Sequence, residues 1–176
     1  IAGHVGADAA GVVLAEALQK AEINTLVVDV GTNAEIVVGN SKRMLAASSP
    51  TGPAFEGAQI SSGQRAAPGA IERIRIDKDT LEPCFRVIGV EQWSNEDGFD
   101  EAVKSTGITG ICGSGIIEVL AEMYLSGILS TDGVIDGTVA ARTPRIEEDG
   151  RTFAYRVAEN VVVTQNDVRA IQLAKA

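Results

Sequence analysis

The chain has little cysteine, little histidine and few aromatic side chains. Cys84 and Cys112 stand 28 positions apart, His4 is the one histidine, and aromatics make up 4% of the residues. No CxxC pair or Cys/His cluster exists, so this chain alone cannot build a zinc site or an iron–sulfur cluster. The core has to come from Ala, Val, Ile and Leu. No apolar run approaches the length of a membrane span, and the start does not read as a signal peptide. Positive charge is scarce as well: 15 Lys and Arg against 24 Asp and Glu give a net charge of −9. Such a surface repels nucleic acid and anionic membrane, which carry the same sign. It leaves ATP open as a ligand, because a few local N–H dipoles can bind phosphate on an acidic protein. The two isolated cysteines lead to a reducing cytoplasm as the default location. The chain opens on Ile1 without Met and ends on Gln172-Leu173-Ala174-Lys175-Ala176, inside a helical pattern. The expectation is one domain of 176 residues, excised from a longer protein.

Asp8 caps an expected helix running to about Lys20, with Ala10, Val13, Leu14, Ala17 and Leu18 on its apolar face. Three short strands follow at 26–30, 35–38 and 44–47, separated by Gly31-Thr32-Asn33 and Gly39-Asn40-Ser41. This spacing predicts an antiparallel meander. The first run is almost wholly apolar, which suits a strand covered on both faces. Pro53 fits the first turn of a helix continued by Phe55, Ala58 and Ile60. Residues 71–76 and 85–90 read as strands around the turn Asp77-Lys78-Asp79, and the polar stretch 91–104 reads as surface. A glycine-rich turn at 110–115 leads into a helix over about 114–126, and 153–157 with 160–163 forms a hairpin. Thr164-Gln165-Asn166-Asp167 has the form of a capping box with Asp in place of Glu, opening a last helix.

Chemistry is most readily placed on Asp29-Val30-Gly31-Thr32-Asn33-Ala34-Glu35. A carboxylate at the end of a buried strand can hold Mg²⁺, usually through water, while the ion bridges phosphate oxygens. Gly31 lets the chain turn sharply, and Thr32 and Asn33 can donate to phosphate. The plain alternative is a hairpin turn, for which Asp, Gly and Asn are common residues. Ser48-Ser49-Pro50-Thr51-Gly52-Pro53-Ala54-Phe55-Glu56-Gly57 would expose N–H groups at a helix start; taken alone, a packed strand-to-helix connection explains it as well. Gly110-Ile111-Cys112-Gly113-Ser114-Gly115 matches neither the Walker spacing nor GxGxxG, and close helix packing is the better role for its glycines. A nucleophilic Cys112 has no sequence-adjacent base, and His4 reads as structural. Among the arginines, Arg65 beside a glycine loop is the best anion contact; Arg73, Arg75 and Arg86 lie among acids.

Together with Ala2-Gly3-His4-Val5-Gly6-Ala7-Asp8, Arg65-Ala66-Ala67-Pro68-Gly69-Ala70-Ile71-Glu72 and Thr164-Gln165-Asn166-Asp167-Val168-Arg169-Ala170-Ile171-Gln172-Leu173-Ala174-Lys175, these segments run in order along nearly the whole chain. In that order they resemble the C-terminal region of the reductive activators of corrinoid proteins. The resemblance implies an α/β chain with a mixed sheet, an incomplete actin-like, ribonuclease H-like lobe of the acetate and sugar kinase/Hsc70/actin superfamily. It implies a parent that uses ATP to help return Co(II) corrinoid to Co(I). A [2Fe–2S] domain and the first lobe would lie upstream of this region and an adenosine-binding strand downstream. The implied cofactors are ATP and Mg, with [2Fe–2S] in the parent and not in this chain. The implied partners are a corrinoid protein or corrinoid-dependent methyltransferase, and a second copy of the chain as a homodimer. By the same resemblance residues 29–35 form the second phosphate loop. Asp29 and Glu35 are then the catalytic candidates, with Asp29 also the Mg ligand, and Gly31, Thr32 and Asn33 contact phosphate. Gly52, Phe55 and Glu56 would flank the nucleotide at the start of the following helix. Two departures stand out: Ala34 where members usually have Gly, and Pro50 where the loop is often Ala-rich. A small-molecule kinase of the same fold and a non-catalytic docking lobe remain as alternatives, the latter using 71–90 and 91–101 as its surface.

Overall fold

The computed structural model describes residues 6–175, the last of them by its backbone only. His4 and the other residues of the opening segment before Gly6 lie outside the described residues. The chain divides into two compact units, one ending at Pro53 and the other beginning at Ala54.

The first unit carries α1 (Ala7–Ala15) and three strands, β1 (Thr25–Val30), β2 (Asn33–Asn40) and β3 (Arg43–Pro50). The strands form the expected antiparallel meander in the order β1-β2-β3. Helix α1 stops earlier than its apolar pattern implies. Ala17 enters the left-handed region at φ 52, and a 3-10 turn, Leu18–Lys20, buries Leu18 instead of continuing the helix. One face of the sheet carries Val27, Val37 and Ala46 in one row and Asp29, Glu35 and Ser48 in the next. Ala9, Ala10, Val13 and Leu14 of α1 line a cavity of about 480 Å³ with Val37, Met44 and Ala46, and Val37 is buried. On the opposite face Leu26 is 62% exposed, and Val28, Val30, Val38 and Leu45 are exposed with it, while Ala34 is buried and Ile36 half-buried. The sequence reading of β1 as covered on both faces therefore does not hold for the described residues. Among the described residues β1 lies at the edge of its sheet, paired only with β2.

The second unit holds the main core. Strand β4 (Ala70–Ile76) lies between β5 (Pro83–Val87), antiparallel, and the short β6 (Gly110–Ile111), parallel, giving the mixed sheet. A register shift between Ile71 and Arg73 explains the odd I-E-R-I spacing, because the bulge lets Ile71, Ile74 and Ile76 all face the core. Helix α2 is a single turn, Phe99–Ala102. It corrects the reading of 91–104 as surface alone, since Phe99 is buried edge-on against Phe85 at 5.8 Å. Helix α3 (Gly113–Leu125) packs on β4. Its Glu118 and Glu122 accept the N–H groups of Ile74 (2.7 Å) and Ile76 (3.0 Å), standing in for a neighbouring strand along that edge. Strand β7 (Ile146–Asp149), absent from the sequence reading, joins β8 (Thr152–Ala158) and β9 (Val161–Thr164) in a third sheet. The phenol of Tyr155, buried, donates to Leu81 O at 2.8 Å.

Helix α4 (Gln165–Lys175) opens with the expected box. Thr164 N–H donates to Asp167 Oδ2 at 2.8 Å, and Asp167 N–H donates to Thr164 Oγ1 at 3.2 Å. Asp167 Oδ1 also accepts from the N–H and hydroxyl of Ser61, so one buried carboxylate joins the helix to a distant loop. The helix expected from Pro53 is absent. The chain makes a 3-10 turn over Pro53–Glu56, closes with Gly57 N–H on Ala54 O, and reverses through Gly57 (φ 86) and Gln59 (φ 70). Two left-handed residues so close together cannot sit in an α-helix. Among the described residues no helix is long and apolar enough to cross a membrane.

Two outcomes follow for stability. Asp167→Ala removes the three hydrogen bonds that its carboxylate accepts, and urea unfolding is expected to show a loss of about 2 kcal/mol. Burial pushes the Glu118 carboxyl up, but hydrogen bonds from Arg75, Ile74 N–H and Arg73 outweigh it and leave the group below its ordinary value of 4.5. A lowered folded value means the stabilisation is present above the unfolded value and is lost as pH falls through the folded one. Unfolding midpoints measured from pH 7 downward should decline in acid for the parent chain. Glu118→Gln should be less stable at pH 7 and show a flatter acid limb.

Candidate phosphate and cation site

The site-bearing segment is the turn between β1 and β2 with the strand ends around it. In an antiparallel pair, residues opposite each other share a face. Asp29 stands opposite Glu35, and Glu35 opposite Ser48, so the three form one row across the sheet. Asp29 is exposed, whereas Glu35 is only 8% exposed. The Ser48 hydroxyl donates to Glu35 Oε1 at 3.1 Å, and Glu35 Oε2 is buried with no hydrogen-bond partner.

The turn itself is held by the end of β3. Gly31 N–H donates to Asn33 O at 2.9 Å, which closes the turn internally. Thr51 Oγ1 donates to Gly31 O at 2.5 Å, while the N–H groups of Thr51 and Gly52 both reach Thr32 O. Gly52 has φ 76, a conformation that L side chains seldom adopt. The carbonyls of the turn are thus directed to Thr51 and Gly52. The side chains of Thr32 and Asn33 remain exposed at the tip. Ala34 sits within β2, paired with Val30 and Ser49, in extended backbone where a methyl group is no obstacle.

Of the residues singled out in the sequence, Asp29, Gly31, Thr32, Asn33, Glu35 and Gly52 gather around this turn. Phe55 and Glu56 belong to the second unit. There Phe55 is half-buried, and its carbonyl lies where a Cβ on Gly113 would meet it at 2.1 Å. The helix start that was to aim Gly52, Phe55 and Glu56 at phosphate is the 3-10 turn already described, too short to concentrate a dipole. Gly110 and Gly115 are equally crowded, by Ser62 O and Ile71 O, so the glycine loop serves close packing as expected. Cys112 is buried, its thiol 3.4 Å from Ile71 O and from Ser114 Oγ. Arg65 is exposed on its loop; Arg73 and Arg75 pair with Glu118, and Arg86 pairs with Glu72. The sequence reading passed over Ser48 and Thr51 as partners. Counting register outward from the Gly31 turn places Ser48 opposite Glu35, a signal that a motif scan does not carry.

Chemically, the row offers two carboxylates and a hydroxyl beside a turn with exposed hydroxyl and amide side chains. That donor set suits a hard cation such as Mg²⁺, which takes oxygen ligands and keeps several waters. The buried oxygen of Glu35 without a partner fits such an ion. Among the described residues no group of three or more His, Cys, Asp or Glu could hold a metal. A cation here would therefore complete its shell with water or phosphate.

Comparison with known proteins places the chain. Residues 23–176 match a family model described as the C-terminal domain of RACo, the ASKHA domain. The chain is 32% identical to the corrinoid activation enzyme RamQ of Eubacterium limosum, over 100% of this chain and 29% of that protein. It is 29% identical to the [Co(II) methylated amine-specific corrinoid protein] reductase of Methanosarcina barkeri, over 94% of this chain and 33% of that protein. A solved structure, a reductive activator for corrinoid,iron-sulfur protein, superposes with a TM-score of 0.77 at 32% identity, covering 97% of this chain and 26% of that one. The chain spans about a third of the length of these curated relatives.

Thr51→Val keeps the shape of the side chain and deletes the bond to Gly31 O. Hydrogen exchange at Asn33 and its neighbours in the turn should accelerate by roughly fivefold, the equivalent of one hydrogen bond of about 1 kcal/mol. Exchange elsewhere in β2 should be unaffected.

Proposed function

The chain belongs to the family of C-terminal ASKHA domains of RACo, and from that premise we propose that it supplies one side of a Mg-ATP site in a larger reductive activator of corrinoid proteins. The observation that carries the reading is the row Asp29–Glu35–Ser48 beside the turn at Gly31. In this proposal Asp29 holds Mg²⁺ through water, Thr32 and Asn33 contact the phosphates, and Thr51 and Gly52 fix the turn. Mg²⁺ would supply neutralisation of the phosphate charge. The residues of the chain do the positioning.

The activity of the longer protein is proposed by similarity to its relatives. A [2Fe–2S] cluster elsewhere in the parent would supply the electron that returns Co(II) to Co(I). ATP contributes by being bound differently in open and closed arrangements of the ATPase, since a ligand shifts a conformational equilibrium only by its differential affinity. The chain would be a piece of the C-terminal lobe, with the other lobe, the cluster domain and an adenosine-binding strand in the rest of the parent. The partners in this reading are a corrinoid protein or corrinoid-dependent methyltransferase and a second copy of the parent. A cytoplasmic setting agrees with two free cysteines, Cys84 and Cys112.

The test is Asp29→Ala in the full-length protein. ATP hydrolysis and the formation of Co(I), followed by absorbance, should both fall by about a hundredfold, a usual cost for removing one positioned electrostatic group. Circular dichroism should show an unchanged fold. Undiminished ATP turnover would remove the site assignment.

A further inference from the structure

We propose that the cavity lined by the loop before Gly137, the β7–β8 turn and the start of α4 binds a small zwitterion with an apolar body, of the class of a free apolar amino acid. Every residue it uses belongs to the second unit, so the inference does not rest on the Mg-ATP reading.

The cavity measures about 400 Å³, within the range of small-molecule sites. Its apolar lining is Val134, Ile135 and Phe153. Ile135 is buried, Val134 is 45% exposed and Phe153 is half-buried, so an apolar ligand would cover surface that the chain leaves open. Phe153 reaches this place because residue 137 is glycine: a Cβ there would stand 2.0 Å from Cε2 of the ring. The wall is held by its own hydrogen bonds. Gln165, buried, accepts the Ile135 N–H at 2.9 Å and donates from Nε2 to Gly133 O at 2.7 Å. Ser130 Oγ accepts the Val134 N–H at 3.0 Å. A ligand therefore meets a preformed surface, which lowers the ordering cost of binding.

Two opposite charges, Arg151 and Asp136, line the same cavity. They make no ion pair with each other, and none of the ion pairs among the described residues involves either. The hydroxyl and N–H of Thr138 donate to Asp136 Oδ1 at 2.7 and 2.9 Å. These bonds hold the Asp136 carboxyl below its ordinary value of 3.8, so it is charged at neutral pH. The Arg151 guanidinium is always protonated, and its planar donors match a carboxylate. A ligand that is only an anion is repelled by Asp136, and one that is only a cation is repelled by Arg151. A zwitterion answers both charges, and its apolar body lies on Val134 and Phe153.

L-phenylalanine is the probe, titrated into the full-length protein and followed by saturation-transfer NMR. Binding should be saturable. Phenethylamine, which lacks the carboxylate, and 3-phenylpropionate, which lacks the ammonium, should each bind about tenfold more weakly, near the lower end of what a hydrogen bond to a charged group contributes. Arg151→Gln should weaken phenylalanine by about the same factor and leave phenethylamine no weaker. Asp136→Asn, which keeps a side chain suited to capping the 3-10 turn at Gly137–Ala141, should weaken phenylalanine likewise and leave 3-phenylpropionate no weaker. ATP turnover should equal that of the parent protein in both variants, which separates this test from that of Asp29→Ala. No saturable binding of phenylalanine overturns the proposal. So does binding that either substitution leaves unchanged, or 3-phenylpropionate bound as tightly as phenylalanine. Should Asp136→Asn fail to fold, as judged by circular dichroism, Arg151→Gln in its exposed turn decides by the same criterion.

Discussion

The register between β1 and β2 is the constraint on which the site depends. Side chains alternate faces along a strand, so a slip of one residue would send Glu35 to the opposite side of the sheet. The turn at Gly31 sets that register, and the end of β3 sets the turn. Thr51 and Gly52 reach back to the carbonyls of Gly31 and Thr32, so the hairpin cannot lengthen or shorten without breaking these bonds. The apolar row of Val27, Val37 and Ala46 adds a second lock, because slippage would also remove Val37 from beneath α1.

Carboxylates elsewhere in the chain show how unusual Glu35 is. Asp167, buried, satisfies both oxygens through Ser61 and Thr164. Glu118 divides its oxygens between the Ile74 N–H and two guanidinium groups. These acids act as connectors, joining helix ends and strand edges that would otherwise have unpaired N–H groups. Glu35 joins nothing through its second oxygen. Within one molecule, the same residue class is fully bonded where it holds the fold and half-bonded where the ligand is proposed.

The fold was legible where local chemistry sets local structure. The meander at β1–β3 follows from glycine-marked turns, and the box at Thr164 and Asp167 follows from the needs of any helix start. The packing role of Gly113 and Gly115 was legible for a similar reason, since crowded glycines precede a strongly apolar helix. Other elements depended on distant partners. The helix suggested by Pro53 lost to the left-handed pair Gly57 and Gln59, of which only the glycine is a visible signal. Phe99 sits in a polar stretch, and its burial is decided by Phe85, fourteen residues earlier in the chain. The apolar composition of β1 predicted cover on both faces; the strand instead lies at an edge, with Leu26 and Val28 exposed. Of the site, Asp29, Gly31, Thr32 and Asn33 could be named from the motif. Ser48 could not, because its role exists only once three strands are in register.

Charge then constrains what can bind at the turn. The chain carries a net charge of −9, and the proposed nucleotide is a polyanion. Two unit charges of like sign about 5 Å apart repel by about 3 kcal/mol at an effective dielectric of about 20. A triphosphate approaching bare Asp29 and Glu35 would meet that repulsion twice, with no basic side chain in the row to offset it. A divalent ion arriving with the phosphates would offset both charges. In the proposed arrangement acidity and nucleotide binding would be compatible, because the cation that accompanies the phosphates would offset the negative row.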